Sequence, residues 1–177
     1  MTWMQTYSGL AFEFDSDDKT QICIEDIATH LSKICRFNGA CKTFYSVAQH
    51  SIYVSQDLKN QSLETQLYGL LHDAAEAYIG DIIRPLKNST YINLENKILC
   101  RIMMSLDLYW ERYLFCRALI KDSDDRLLFT ERNQLMLSPP QPWDFEREAS
   151  PIKIKPWGWK KSEKKFLECY YELRKEL

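Results

Sequence analysis

Glycine is scarce in this chain, 5 residues in 177, and strand-like alternation is confined to residues 10–14 and 22–24. A sheet-based fold is thereby excluded, and at most one short N-terminal β-hairpin remains. The six cysteines (Cys23, Cys35, Cys41, Cys100, Cys116 and Cys169) show no paired spacing. A zinc ribbon or a disulfide framework is not expected, and they read as reduced core residues. No run of 18 apolar residues occurs, and residues 1–14 lack a basic stretch followed by an apolar one. Neither a membrane span nor a secretory leader is expected, and the expected location is the cytoplasm, that of the host were the chain phage-encoded. An excess of one charge is also missing: 23 basic and 25 acidic residues are interspersed, for a net charge of −2. No surface is expected that could neutralise many phosphates at once, which argues against a long nucleic-acid partner. Two or three well-placed cations, enough for a small phosphorylated metabolite, are still available.

With 45% hydrophobic and 27% charged residues and no low-complexity tract, the chain has the balance of a soluble globular protein. At this length one domain buries roughly 70% of its unfolded surface, so a single domain spanning residues 1–177 is expected. The periodicity predicts an all-α bundle. Residues 25–35 repeat apolar side chains at Ile27, Leu31 and Ile34, and residues 46–58 place Val47, His50 and Val54 on one face. Residues 63–79 are apolar nearly all round at their centre, which predicts a central helix ended by Gly80. Further helices are expected over 94–105, 113–120 and 124–135, with a last one over 162–177 capped by Ser162. Five of the six prolines fall between residues 138 and 157, beside Trp143 and Phe145. That stretch reads as an irregular arm, a strap held to the surface by its aromatics in preference to a subunit contact.

Only three histidines are present. His72 follows Leu70 and Leu71 in the most apolar segment and is itself followed by Asp73 and, three residues later, Glu76. Carboxylates in such a setting are rare unless paired or metal-bound. Imidazole nitrogen and carboxylate oxygen together suit a borderline divalent ion, such as zinc, cobalt, manganese or iron, better than calcium. His50 projects from the inner stripe of the preceding helix, and Asp125 shares a helical face with Leu128 and Leu135, so both can point inward. Taken singly these signals are weak. A lone helix histidine is more often hydrogen-bonded in a core, and a lone aspartate at a helix start more often favours the dipole.

The order of these residues resembles the HD-domain phosphohydrolase superfamily, whose metal site combines a histidine, a His-Asp pair and a distant aspartate. The stretch from Leu70 through His72, Asp73, Glu76 and Asp81 to Pro85 and Lys87 is similar to the branch containing bacterial 5'-deoxynucleotidases and the dATP triphosphohydrolases of certain phages. Residues 35–39, 45–51 and 125–131 match it too, and the likeness covers roughly residues 6–135, with the metal-site core over about 24–135. It implies an HD-domain helical bundle with His50, His72, Asp73 and Asp125 as ligands of one divalent transition metal (zinc, cobalt or manganese). A second ion such as magnesium could sit at the phosphates. The likeness makes Glu76 and Asp81 the acid–base pair, Arg36 and Lys87 the phosphate-binding cations, and Phe37 and Pro85 the flanks of sugar or base. Ala40 departs from it, standing where many relatives carry a histidine, and His30 reads as a surface or packing residue.

The activity so implied is hydrolysis of dATP at the α-phosphate to deoxyadenosine and triphosphate, with dADP and dAMP also accepted, in a homo-oligomer without membrane contact. A 5'-deoxynucleotidase acting on monophosphates is the nearest alternative, and a non-catalytic nucleotide sensor the alternative of another class. Retention of Glu76 and Asp81 beside the ligands argues against the sensor.

Overall fold

A computed structural model describes residues 2–177. It is an all-α bundle carrying one short antiparallel hairpin, β1 (Trp3–Gln5) and β2 (Ala11–Glu13). The hairpin differs from expectation in its partner, because residues 22–24 do not form a strand and β2 pairs with β1. Seven α-helices follow: α1 (Ile24–Lys33), α2 (Val47–Asp57), α3 (Leu63–Leu71), the one-turn α4 (Glu76–Ile79), α5 (Ser89–Ser105), α6 (Trp110–Leu135) and α7 (Trp159–Lys175). Helices α1, α2, α3 and α7 pack on one another, and α6 lies across α2 and α3. No helix among the described residues is long and apolar enough to cross a membrane.

The starts of the helices follow from local chemistry. Ser46 accepts a hydrogen bond from the Gln49 N–H (3.2 Å), Ser62 from that of Thr65 (3.1 Å), and Asn88 from that of Tyr91 (2.9 Å). Each satisfies a backbone donor that the first turn leaves free. The last helix differs: it starts at Trp159, one turn before Ser162, which is fully buried inside it with its hydroxyl near the Gly158 carbonyl. A serine read as a cap is here an interior residue, because the helix is extended upstream by Trp159 and two lysines that solvate its outer face.

Two boundaries matter for function. The central helix is not continuous to Ile79, since between α3 and α4 the Ala74 and Glu76 N–H groups bond carbonyls three residues back, at 2.9 and 3.0 Å. His72 and Asp73 sit in that tightened break. Conversely, residues 110–135 form one helix where two were expected, so Asp124 and Asp125 lie in mid-helix and not at a start. At the crossing of α2 and α3 stands Gly69, where an added Cβ would lie 2.6 Å from Leu58 Cδ1. The missing side chain lets α2, which carries His50, and α3, which leads into His72, come close.

The core is lined by Ile27, Leu31, Val47, Val54, Leu67, Leu70, Leu71, Ile102, Leu127 and Phe166, among others. Of the six cysteines only Cys116 is buried; the others are half-buried and all are free thiols. The arm after α6 is irregular, as expected, and it is tied down by polar contacts as well as aromatics. Gln134 holds the Ile152 carbonyl and the Ile154 N–H, Gln49 holds the Lys155 carbonyl and the Trp157 N–H, and Ser150 donates to Asp57 at 2.6 Å.

Candidate metal centre

His50, on α2, is fully buried. Its Nδ1 lies 2.6 Å from Glu131 Oε1, so it donates there and leaves Nε2 as the lone-pair nitrogen. His72 is set likewise, with Nδ1 2.8 Å from the Gly69 carbonyl. Both Nε2 atoms are buried without a hydrogen-bond partner. They face carboxylates: His50 Nε2 is 3.6 Å from Asp73 Oδ2 and 3.2 Å from Asp124 Oδ1, and His72 Nε2 is 3.1 Å from Asp73 Oδ2 and 4.0 Å from Asp124 Oδ1. Imidazole lone pairs aimed at carboxylate lone pairs repel, so the arrangement calls for positive charge between them. Protons answer that demand in part. Burial and Arg36 press the His50 pKa down, but Glu131 and Asp124 outweigh them and lift it to about 9. A divalent cation would answer it fully, and a set of nitrogen and carboxylate oxygen donors suits the borderline metals. The ligand atoms of His50, His72 and Asp73 lie within 4.8 Å of one another.

The α6 carboxylate that faces the two histidines is Asp124, not the expected Asp125. On the continuous α6 the inward stripe runs through Ile120, Ser123, Leu127 and Glu131, and Asp124 lies seven residues, about two turns, before Glu131. Both therefore reach His50, from its two ring nitrogens. Asp125, rotated by about 100°, turns to Arg84 (2.6 Å) and Lys121 (2.8 Å). Glu131 is the residue that sequence reading missed. Besides His50 it accepts from Tyr45 OH at 2.9 Å and Arg36 Nε at 3.1 Å, an outer partner of the kind that orients a metal-binding histidine. Its seven-residue spacing from Asp124 was the available signal.

The other expected residues gather around this cluster in part. Arg36 Nη1 lies 3.6 Å from Asp73 Oδ2. Three consecutive residues after Arg36 take left-handed backbone, Phe37 (φ 55°), Asn38 (φ 50°) and Gly39 (φ 82°). For a bulky residue such as Phe37 this costs roughly 1–2 kcal/mol, a strain typical of functional loops. Glu76 is buried, with Oε1 3.4 Å from Lys87 Nζ and Oε2 unpartnered. Burial, then the Asp73 and Asp81 carboxylates, push its pKa well above the ordinary carboxylate range against Lys87 and Arg36. Burial raises Asp81 as well, with Arg36 opposing and Asp73 assisting. Lys87 also reaches Glu95 at 2.8 Å, a partner the sequence did not suggest. Pro85 lies exposed on the single turn Arg84–Leu86. His30 stands apart, with Nδ1 2.8 Å from the Ala77 carbonyl and Nε2 accepting from the Tyr7 N–H at 3.1 Å.

No protein-family model matches the chain. It is 38% identical over 148 residues to the uncharacterized protein YfdR of Escherichia coli (strain K12), an alignment covering 81% of this chain and 78% of that protein. An uncharacterized protein of Rhodobacter capsulatus is 30% identical over 115 residues, 60% of this chain and 59% of its own.

Proposed function

We propose, for a chain that belongs to the family of Escherichia coli YfdR, that it is an HD-type metal-dependent phosphohydrolase of deoxynucleotides. The preferred substrate is dATP, cut at the α-phosphate into deoxyadenosine and triphosphate, with dADP and dAMP entering in the same pose. One observation carries the metal-dependent part: two buried, unpartnered imidazole nitrogens face the carboxylates of Asp73 and Asp124. The choice of a deoxynucleotide, and of dATP among them, rests on the resemblance of residues 35–39, 45–51 and 70–87 to that branch of the HD superfamily.

His50, His72, Asp73 and Asp124 would hold one divalent ion, zinc, cobalt or manganese. Bound there, such an ion supplies Lewis acidity, making a water more acidic and drawing charge from the phosphoryl group. The chain's own residues do the rest. Glu131 and the Gly69 carbonyl keep both histidines in one tautomer. Arg36 and Lys87 offset phosphate charge, so that catalysis is largely positioning and electrostatics. Glu76, neutral because of its burial and its carboxylate neighbours, gives its proton to the departing 5' oxygen as the P–O5' bond breaks. Asp81 accepts the proton lost by the attacking water. Phe37 and Pro85 flank the nucleoside.

The test is a chelated protein reloaded with zinc, cobalt or manganese and offered four dNTPs and four dNMPs, with products separated by chromatography. Deoxyadenosine and intact triphosphate from dATP are expected. Nucleotides left whole with every metal, or dADP and orthophosphate appearing before any nucleoside, would sink the reading.

A further inference from the structure

From the sequence, Arg84 has no role of its own and the arm reads as a strap held to the surface by its aromatics. The structure brings the two together at the edge of the metal cluster. Arg84 Nη2 lies 2.6 Å from Asp125 Oδ1 and 3.9 Å from Asp124 Oδ2, and Oδ1 of Asp124 faces both histidines. The guanidinium lies 4.7 Å from the ring centre of Phe145, in the arm. Phe145 in turn is set edge-on against Phe129 of α6 at 5.2 Å, and Phe129 follows Asp125 by one helical turn. Three separate elements, the turn Arg84–Leu86, α6 and the arm, thus converge on one guanidinium.

An exposed Arg–Asp pair on its own would be ordinary and worth about 0–1 kcal/mol. Two features separate this one. Lys121, from the same helix, is shared by Asp124 and Asp125 at 2.7 and 2.8 Å, so Asp125 keeps a cation beside it when Arg84 turns to another anion. An aromatic face against a guanidinium leaves the in-plane N–H groups free to donate. Among the described residues, Arg84 Nε and Nη1 have no protein partner, and the side chain is 45% exposed. It is a positioned cation with donors to spare. Arg36 and Lys87 lie against Asp73 and Glu76, whereas Arg84 lies against Asp124 and Asp125. The first pair can serve a single phosphate, and Arg84 offers a further cation to a longer phosphate chain.

We infer that Arg84, held by Phe145, binds the outer phosphates of a nucleoside polyphosphate and sets the preference for triphosphate over monophosphate substrates. This rests on the phosphohydrolase reading above. Asp125 is then the anion that keeps the guanidinium in place between substrates, and the arm acquires a role as the support of a specificity residue.

The experiment compares the metal-loaded wild type with Arg84→Gln and Phe145→Leu in two readouts. In kinetics, Arg84→Gln should lower the ratio of kcat/KM for dATP to that for dAMP by about tenfold or more, mainly through the KM for dATP. Phe145→Leu should shift it the same way by less. In calorimetry, inorganic triphosphate should bind the wild type about tenfold more tightly than Arg84→Gln. Elemental analysis accompanies both. An unchanged ratio with unchanged triphosphate affinity overturns the inference, as does loss of metal from Arg84→Gln, which would make Arg84 a support of Asp124. If the wild type cleaves no nucleotide yet triphosphate binding still depends on Arg84, the reaction reading falls and the anion subsite stands.

Discussion

Arg36 and Arg101 are buried to the same degree, 8% exposed each, and their surroundings could hardly differ more. Arg101, on α5, gives Nη1 to the Glu13 carbonyl at 2.7 Å, and Nη2 to the Asp18 carbonyl at 2.6 Å and to Gln21 Oε1 at 2.7 Å. Its guanidinium lies 4.6 Å from the ring centre of Phe12, which stacks on Tyr78 at 3.9 Å. It is a staple, fixing the hairpin and the turn after it to α5 by neutral acceptors. Arg36 sits instead among Glu131, Asp73, Asp81 and Asp124, whose charges, set against the cost of burial, hold its pKa well above the ordinary value. Beside it lie two orphaned imidazole nitrogens and the unpartnered Glu76 Oε2. A buried cation met by carbonyls stabilises a fold. Arg101 Nε is itself unpartnered, so an unmatched polar atom does not separate the two; the excess of carboxylates around a buried cation, beside two imidazole nitrogens, marks a place kept ready for a ligand.

The sharpest way to break this contrast is to exchange the two adjacent aspartates of α6. Asp124→Asn should abolish tight metal retention and lower activity by about 100-fold or more, because a ligand is worth at least as much as its outer partners. Asp125→Asn should keep the ion. Elemental analysis of both variants decides it, and equal metal content in the two would mean that the ligand set is misassigned.

Next in size is the staple itself. Arg101→Met should destabilise the protein by about 2–3 kcal/mol, the scale of losing charge-assisted hydrogen bonds to buried acceptors, while metal content is retained. Denaturant unfolding measures the first and elemental analysis the second. Arg36→Met leaves Asp73 and the fully buried Glu131 without their cation, which should cost about 3–5 kcal/mol, and unlike Arg101→Met it should also impair phosphate binding. Phosphate binding impaired in both variants, or in neither, would erase the difference between the two arginines.

The smallest effect concerns Asp26, fully buried at the other end of the staple region, which accepts from the Ser8 N–H and hydroxyl, both at 2.7 Å. Burial opposes its ionisation, but hydrogen bonds from Thr6 and Ser8 prevail and its folded-state pKa is lowered. A carboxyl so lowered adds stability that is present above its unfolded pKa of about 3.9 and is lost as pH falls through the folded value. Asp26→Asn should therefore cost about 1–2 kcal/mol at neutral pH, and the gap to wild type should close on acidification below about pH 4. A gap that stays constant with pH, followed by denaturant unfolding, would refute the ionic origin.

What the sequence by itself determined was whatever depends on near neighbours. Helical periodicity, the irregular proline-bearing arm and the unusual placement of His72 and Asp73 beside an apolar run are all written within a turn or two of the chain. They needed no tertiary contact to be read. The tertiary structure alone decided which of Asp124 and Asp125 faces the histidines. The two differ by about 100° around one helix, and the rotation of α6 is set by its packing on α2 and α3. The same holds for Glu131, for Arg84 under Phe145 and for the pairing of β2 with β1, each made by residues distant in the chain. Short-range hydrogen bonding and amphipathy specify that a helix forms. Only the packing of one helix on another specifies which of its polar residues are turned inward to a shared site.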